Sequence, residues 1–142
     1  MKQLMIIGTD TDVGKTYVSG LILKKLHENG KKAAYFKAAM SGNIRLSDGS
    51  LLPGDADFVK TTSGISQPLE DMCPYVYETA VSPHLAAQIE GNPIEWETIQ
   101  ETYDILCGKY DFVTVEGSGG ILCPLRHDET AVFSLADFVL SQ

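Results

Sequence analysis

The sequence predicts an α/β fold, a doubly wound and mostly parallel sheet with helices on both faces. Two observations predict it. Short, continuous apolar runs at Leu4–Ile7, Ala33–Phe36 and Phe112–Val115 lack the alternation of a half-solvated strand and fit strands covered on both faces. Between them, Lys15–Asn29 and Glu95–Cys107 carry apolar residues at helical spacing, so strands and helices alternate along the chain.

Taken in order, the first run is stopped by Gly8. In the helix that follows, Val18, Leu21, Ile22 and Leu26 mark the apolar face, and Gly30 stands where a helix C-terminus favours glycine. Ala33–Phe36 then closes a βαβ unit of about 40 residues and ends at Lys37. Ser41–Pro53 is rich in turn residues and reads equally as an active-site loop or a disordered one. Asp55–Thr62 predicts a short helix, and Ser82-Pro83-His84 a helix start with proline in its first turn. After Phe112–Val115 comes Glu116-Gly117-Ser118-Gly119-Gly120 directly, and Ser134–Leu140 predicts a final helix. Three strands are fewer than the roughly four to six of a usual sheet, so further strands are expected to be missing at the C-terminal side.

The 142 residues, 44% hydrophobic and 21% charged, fit one domain, 1–142, read as C-terminally truncated. A net charge of −8 excludes partners bound through a phosphate backbone or an anionic membrane, so any anion must be captured locally. Cys73, Cys107 and Cys123 lack the paired spacing of zinc or redox motifs and read as reduced thiols. The apolar run Leu4–Ile7 is too short for a signal peptide or a membrane span. A cytoplasmic protein is expected.

Gly8-Thr9-Asp10-Thr11-Asp12-Val13-Gly14-Lys15-Thr16 lies between a strand and a helix, the context that makes a phosphate-binding loop credible. Its glycines let backbone N–H groups converge on phosphate oxygens, the helix adds its positive end, Lys15 adds a full charge, and Thr16 offers a hydroxyl to Mg²⁺. A turn that merely reversed the chain does not account for Gly-Lys-Thr at a helix start. Five residues separate Gly8 from Gly14, one more than in the common P-loop, and the early lysine of switch-type ATPases is absent. Lys37 and Glu116 close two strands at the edge where an open α/β sheet binds ligands. There a lysine can neutralise charge on a transferring phosphoryl group and a carboxylate can reach Mg²⁺. Asp55 joins them if its loop folds back; otherwise Asp55 or Asp57 is a cap or a solvated carboxylate. Gly117–Gly120 reads as room for backbone approach to a ligand or as a plain turn. His84 and His127 read as structural, and Tyr75, Tyr77 and Trp96 as core or surface aromatics.

The nine-residue loop, with its five spacers, resembles that of the dethiobiotin synthetases. Lys37-Ala38-Ala39-Met40-Ser41-Gly42 is similar to the family's Lys-Pro-x-x-Ser-Gly, Ser82-Pro83-His84 to its Ser-Pro-His, and Val115 to Gly120 to its Val-Glu-Gly-Ala-Gly-Gly; Pro124 falls in register. The resemblance implies a P-loop NTPase-like fold and ATP- and Mg²⁺-dependent carboxylation and ring closure of 7,8-diaminopelargonate with CO₂, by a homodimer. It implies catalytic roles for Lys37, Lys15 and Thr11, and substrate contacts from Thr11 and Ser41. Nucleotide contacts fall to Asp12, Val13, Gly14, Lys15, Thr16, Tyr17, Asp55, Glu116, Gly117, Ser118 and Gly119, and metal ligation to Thr16, Asp55 and Glu116. Asp12 and Ala38 depart from the family's usual residues. Family members run past 200 residues, which implies that these 142 alone turn over poorly. The alternatives are a related P-loop amide ligase of the cobyrinic acid a,c-diamide synthase type, the P-loop domain of a phosphate acetyltransferase, a non-catalytic ATP-dependent switch, and an inactive remnant.

Overall fold

The computed structural model describes residues 1–142. In chain order the elements are β1 (Lys2–Ile6), α1 (Lys15–Glu28), β2 (Ala33–Phe36), β3 (Ala39–Met40), β4 (Ile44–Arg45), β5 (Leu51–Leu52) and α2 (Gly54–Ser63). A single 3₁₀ turn at Leu69–Asp71 leads to β6 (Tyr75–Val76), α3 (Pro83–Glu90), α4 (Trp96–Lys109), β7 (Phe112–Glu116), β8 (Pro124–His127), β9 (Val132–Ser134) and α5 (Leu135–Leu140).

The central sheet is parallel, with β7 between β1 and β2, and its register places Ile6 beside Glu116 and Phe36 beside Val115. Both faces of β2 and β7 are covered, as their apolar runs predict. Successive residues of β2 point into different cores: Ala34 and Phe36 join Val113, Val115, Ile99, Tyr103, Leu106 and Phe138, while Ala33 and Tyr35 join Leu23, Ala56, Val59 and Met72. Helices α4 and α5 therefore close one face and α1 and α2 the other, which is the doubly wound arrangement.

Two expectations need correction. The first strand is not covered on both faces: β1 is the sheet's edge, with Leu4 44% and Ile7 50% exposed. On α1, Val18 and Leu21 are exposed, Ile22 and Leu26 are partly buried with Leu26 against the core, and the fully buried residues are Lys15, Ser19, Gly20 and Leu23. The cause is the neighbour. Helix α2 packs closely against α1, and a Cβ at Gly20 would stand 3.3 Å from the Thr62 methyl, so the side of α1 that carries Gly20 faces α2.

Ser41–Pro53, open between two readings, is an ordered antiparallel hairpin of β4 and β5. Buried Asn43 ties its two ends: its amide donates to the Met40 and Tyr77 carbonyls at 3.1 and 2.8 Å, and its Oδ1 accepts from the Gly54 N–H at 3.0 Å. The short parallel pair β3–β6 and the antiparallel pair β8–β9 lie outside the three predicted strands. Helix α5 begins as predicted, with Ser134 and Asp137 forming a reciprocal capping box. All three cysteines are free, and no helix is long and apolar enough to cross a membrane.

Candidate active site

The loop from Gly8 to Gly14 runs from the end of β1 to the start of α1, and its shape demands its glycines. A Cβ on Gly8 would stand 2.7 Å from the Val13 side chain, and Gly14 holds φ at 100°, where a side chain is strained. Asp12 also takes a left-handed conformation, φ 57°. Lys15 lies 8% exposed, folded back so that its ammonium donates to the Asp10 carbonyl.

Two sheet-edge groups and one carboxylate from α2 converge beside this loop. Lys37, one residue past β2 and 6% exposed, places Nζ 2.5 Å from Asp55 Oδ2 and 3.0 Å from Glu116 Oε1. Glu116 ends β7 and is 1% exposed. Its Oε1 also accepts from the Thr16 hydroxyl at 2.7 Å, and its Oε2 lies 2.8 Å from the Ser19 hydroxyl. Burial works against the charge of Lys37, but Glu116 and then Asp55 outweigh it and raise its pKa above the ordinary lysine value. Of the two candidate carboxylates, Asp55 on the first turn of α2 is the one that reaches the cluster.

Two connected clefts open around these groups. The first, about 410 Å³, is lined by Thr11, Asp12, Gly14, Lys15, Thr16, Tyr17, Lys37, Asp55, Glu116, Gly119 and the half-exposed Phe58. The second, about 610 Å³, shares Thr11, Asp12, Lys37, Asp55 and Gly119 with it and extends to Ser41, Ser118, Ser82 and Pro83. Val13 and Gly117 line neither cleft: Val13 is half exposed, and Gly117 lies against Leu135 and Met5. The other residues singled out in the sequence are brought together. Ser19 and Phe58 were not among them. Phe58 pairs with Tyr17, ring centroids 6.5 Å apart, at the rim of the first cleft.

The donors available to a cation are the Asp55 and Glu116 carboxylates and the Thr16 hydroxyl, all hard oxygens, the set Mg²⁺ takes together with phosphate oxygens and water. That an ammonium bridges the two carboxylates marks the spot as one that stabilises positive charge. The residues fit Mg²⁺. Backbone N–H groups around Gly14 and the N-terminus of α1, with Lys15, form the anion-binding counterpart.

A family model described as an AAA domain matches residues 2–137, nearly the whole chain. The chain belongs to this AAA-domain family. Within it, the chain is similar to proteins named ATP-dependent dethiobiotin synthetase BioD. It is 49% identical to that of Clostridium novyi over 136 residues, 45% to that of Clostridium kluyveri over 138, and 44% to that of Brachyspira hyodysenteriae over 138. These alignments cover 96–97% of this chain, and the chain spans 57–60% of the length of the relatives. For an AAA-domain protein, the phosphate loop, the strand-end acid Glu116 and the parallel sheet are the expected nucleotide-handling parts. Lys37 stands at the neighbouring strand end, paired with Glu116.

Proposed function

We propose that the chain supplies the ATP- and Mg²⁺-handling part of a dethiobiotin synthetase, which carboxylates 7,8-diaminopelargonate with CO₂ and closes the ureido ring. The observation that carries this reading is Lys37. It stands where the phosphate cleft meets the second cleft, so one ammonium can serve both a nucleotide phosphate and a substrate oxygen.

In this reading one amine of the substrate has added CO₂ to become a carbamate, which lies in the second cleft against Ser41 and Thr11. A carbamate oxygen attacks the γ-phosphorus, the bond to the β-γ bridging oxygen breaks, and ADP leaves. The second amine then attacks the carbonyl carbon of the mixed anhydride, inorganic phosphate departs, and the ring closes with loss of the amine proton. Lys37 and Lys15 offset the negative charge shared by the carbamate and phosphoryl oxygens as these approach. Backbone groups of Asp12, Gly14 to Tyr17, Ser118 and Gly119 frame the nucleotide, and Phe58 stands at the rim of the cleft. Thr16, Asp55 and Glu116 would hold Mg²⁺, which when bound neutralises phosphate charge. Residues 1–142 act as one nucleotide-binding unit within a homodimer.

Phosphate release in Mg²⁺, ATP and bicarbonate, with and without the diamine, tests this on the intact protein and on Lys37→Ala. Release that requires both diamine and bicarbonate and is lost in Lys37→Ala is expected. Release indifferent to the diamine refutes the substrate and favours an amide-ligase relative or a switch.

A further inference from the structure

Lys37 is the one cation within salt-bridge distance of either Asp55 or Glu116, at 2.5 and 3.0 Å, and both contacts are made by the same Nζ. Glu116 Oε1, the atom that takes Lys37, also accepts from the Thr16 hydroxyl at 2.7 Å. The two carboxylates fitted to Mg²⁺ are held by a single ammonium, with the third candidate ligand on the same Glu116 oxygen. A magnesium ion sits about 2.0–2.1 Å from each oxygen it takes directly. Between these two carboxylates that is the space Nζ fills, and like charges repel too strongly at such separations to share it. The carboxylate pair already has its counter-ion, and that counter-ion belongs to the chain.

Lys37 is not easily pushed aside. It is 6% exposed and has no other carboxylate within salt-bridge distance. A metal ion arriving alone would have to strip a buried ammonium of both partners and shed part of its own tightly held water. A triphosphate changes that balance, because it brings anionic oxygens into the cleft that Lys37 lines together with Gly14 and Lys15. We propose that Lys37 is the built-in occupant of the cation site: it excludes free divalent metal and yields Asp55 and Glu116 only to a metal ion that arrives with a nucleotide, whose phosphate oxygens then receive the ammonium. Glu116 and Asp55 exchange one counter-ion for another, and neither is left bare. The inference rests on the nucleotide reading of this site and adds an order to it. Metal and nucleotide enter together, and the same movement delivers Lys37 to the phosphates.

Mn²⁺, which takes the same hard oxygen ligands and can be counted when free by electron paramagnetic resonance, tests this on the intact protein without nucleotide. The double variant Lys37→Met/Glu116→Gln reports the metal held by surface carboxylates alone. Wild type is expected to bind no more Mn²⁺ than that control, and Lys37→Met to gain one site about tenfold tighter or better. Mn²⁺ alone is expected to raise the melting temperature of Lys37→Met and not that of wild type. Lys37→Gln, which keeps a hydrogen-bond donor for Glu116 should methionine prevent folding, carries the same expectation. A site in wild type as tight as in the Lys37 variants overturns the proposal. So do Lys37 variants that bind no more metal than the control, the behaviour of an ion pair that only holds the fold. Melting with Mn²⁺ and a non-hydrolysable ATP analogue is read separately: a wild-type protein that gains no stability from the two together overturns the nucleotide reading itself, and with it the order of entry, however the metal alone behaves.

Discussion

Replacing Lys37 by methionine removes the only cation within salt-bridge distance of buried Glu116 while keeping most of the side-chain volume. At 3.0 Å and an effective dielectric of about 20, the gross attraction is roughly 5–6 kcal/mol, before the desolvation that offsets it. The partner Asp55 is 41% exposed at its side chain and adds only about 0–1 kcal/mol after screening. Deleting one member of a buried pair typically costs about 3–5 kcal/mol. Because Thr16 and Ser19 still support Glu116, the expected loss is nearer ~2–4 kcal/mol. At roughly 3 °C per kcal/mol for a domain of this size, the melting temperature falls by about 6–12 °C. Adding Glu116→Gln to Lys37→Met removes the stranded charge, so the double variant is more stable than Lys37→Met alone, with a coupling above about 1.5 kcal/mol. Urea denaturation of the four proteins measures the cycle. Additive effects, or a Lys37→Met variant as stable as wild type, refute the buried pair.

Ser19→Ala is expected to cost ~1–2 kcal/mol in urea denaturation by withdrawing the one donor to Glu116 Oε2, and to weaken Mg²⁺-dependent nucleotide binding in the same direction. Gly14→Ala places a side chain at φ 100° and costs about 1–3 kcal/mol, with loss of nucleotide binding by calorimetry; full retention of both speaks against the loop assignment. Hydrogen bonds from the Ser134 backbone and hydroxyl hold the Asp137 carboxyl below the ordinary aspartate value. A depressed pKa stabilises above the unfolded value and the contribution is lost as pH falls through the folded one. Trp96, the only tryptophan, lies against Phe138 of α5, so its emission is expected to change as pH drops below about 4, and Asp137→Asn to remove that acid transition.

Much of the site was legible because its chemistry sits at strand ends and in one glycine-bearing loop. Continuous apolar runs located β2 and β7, and the residues just past them, Lys37 and Glu116, inherited their position from the sheet edge. What was not legible depended on partners. The buried face of α1 was set by the close approach of α2 at Gly20, which hydrophobic periodicity does not report. Ser19 looks like any mid-helix serine until β7 places Glu116 against it; its one signal is helical spacing from Lys15 and Thr16. The exposure of Leu4 and Ile7 follows from the place of β1 in the strand order, which no local pattern encodes. Pairs as short as β3–β6 and β8–β9 are specified by tertiary register rather than by their own sequence.

Asn43 makes the chain between Ser41 and Asp55 a detachable cassette. One side chain grips the backbone on the way out, at Met40, and on the way back, at Gly54, immediately before the carboxylate that meets Lys37, and fastens both to Tyr77 beyond β6. Beyond that grip Ile44 and the Asp48-Gly49 turn face solvent, and Arg45 pairs with Glu78 rather than with any member of the cluster. Lengthening the tip adds little to the closure entropy, so this stretch is free to drift in length and sequence, or to accept a grafted tag, while Asp55 keeps its address.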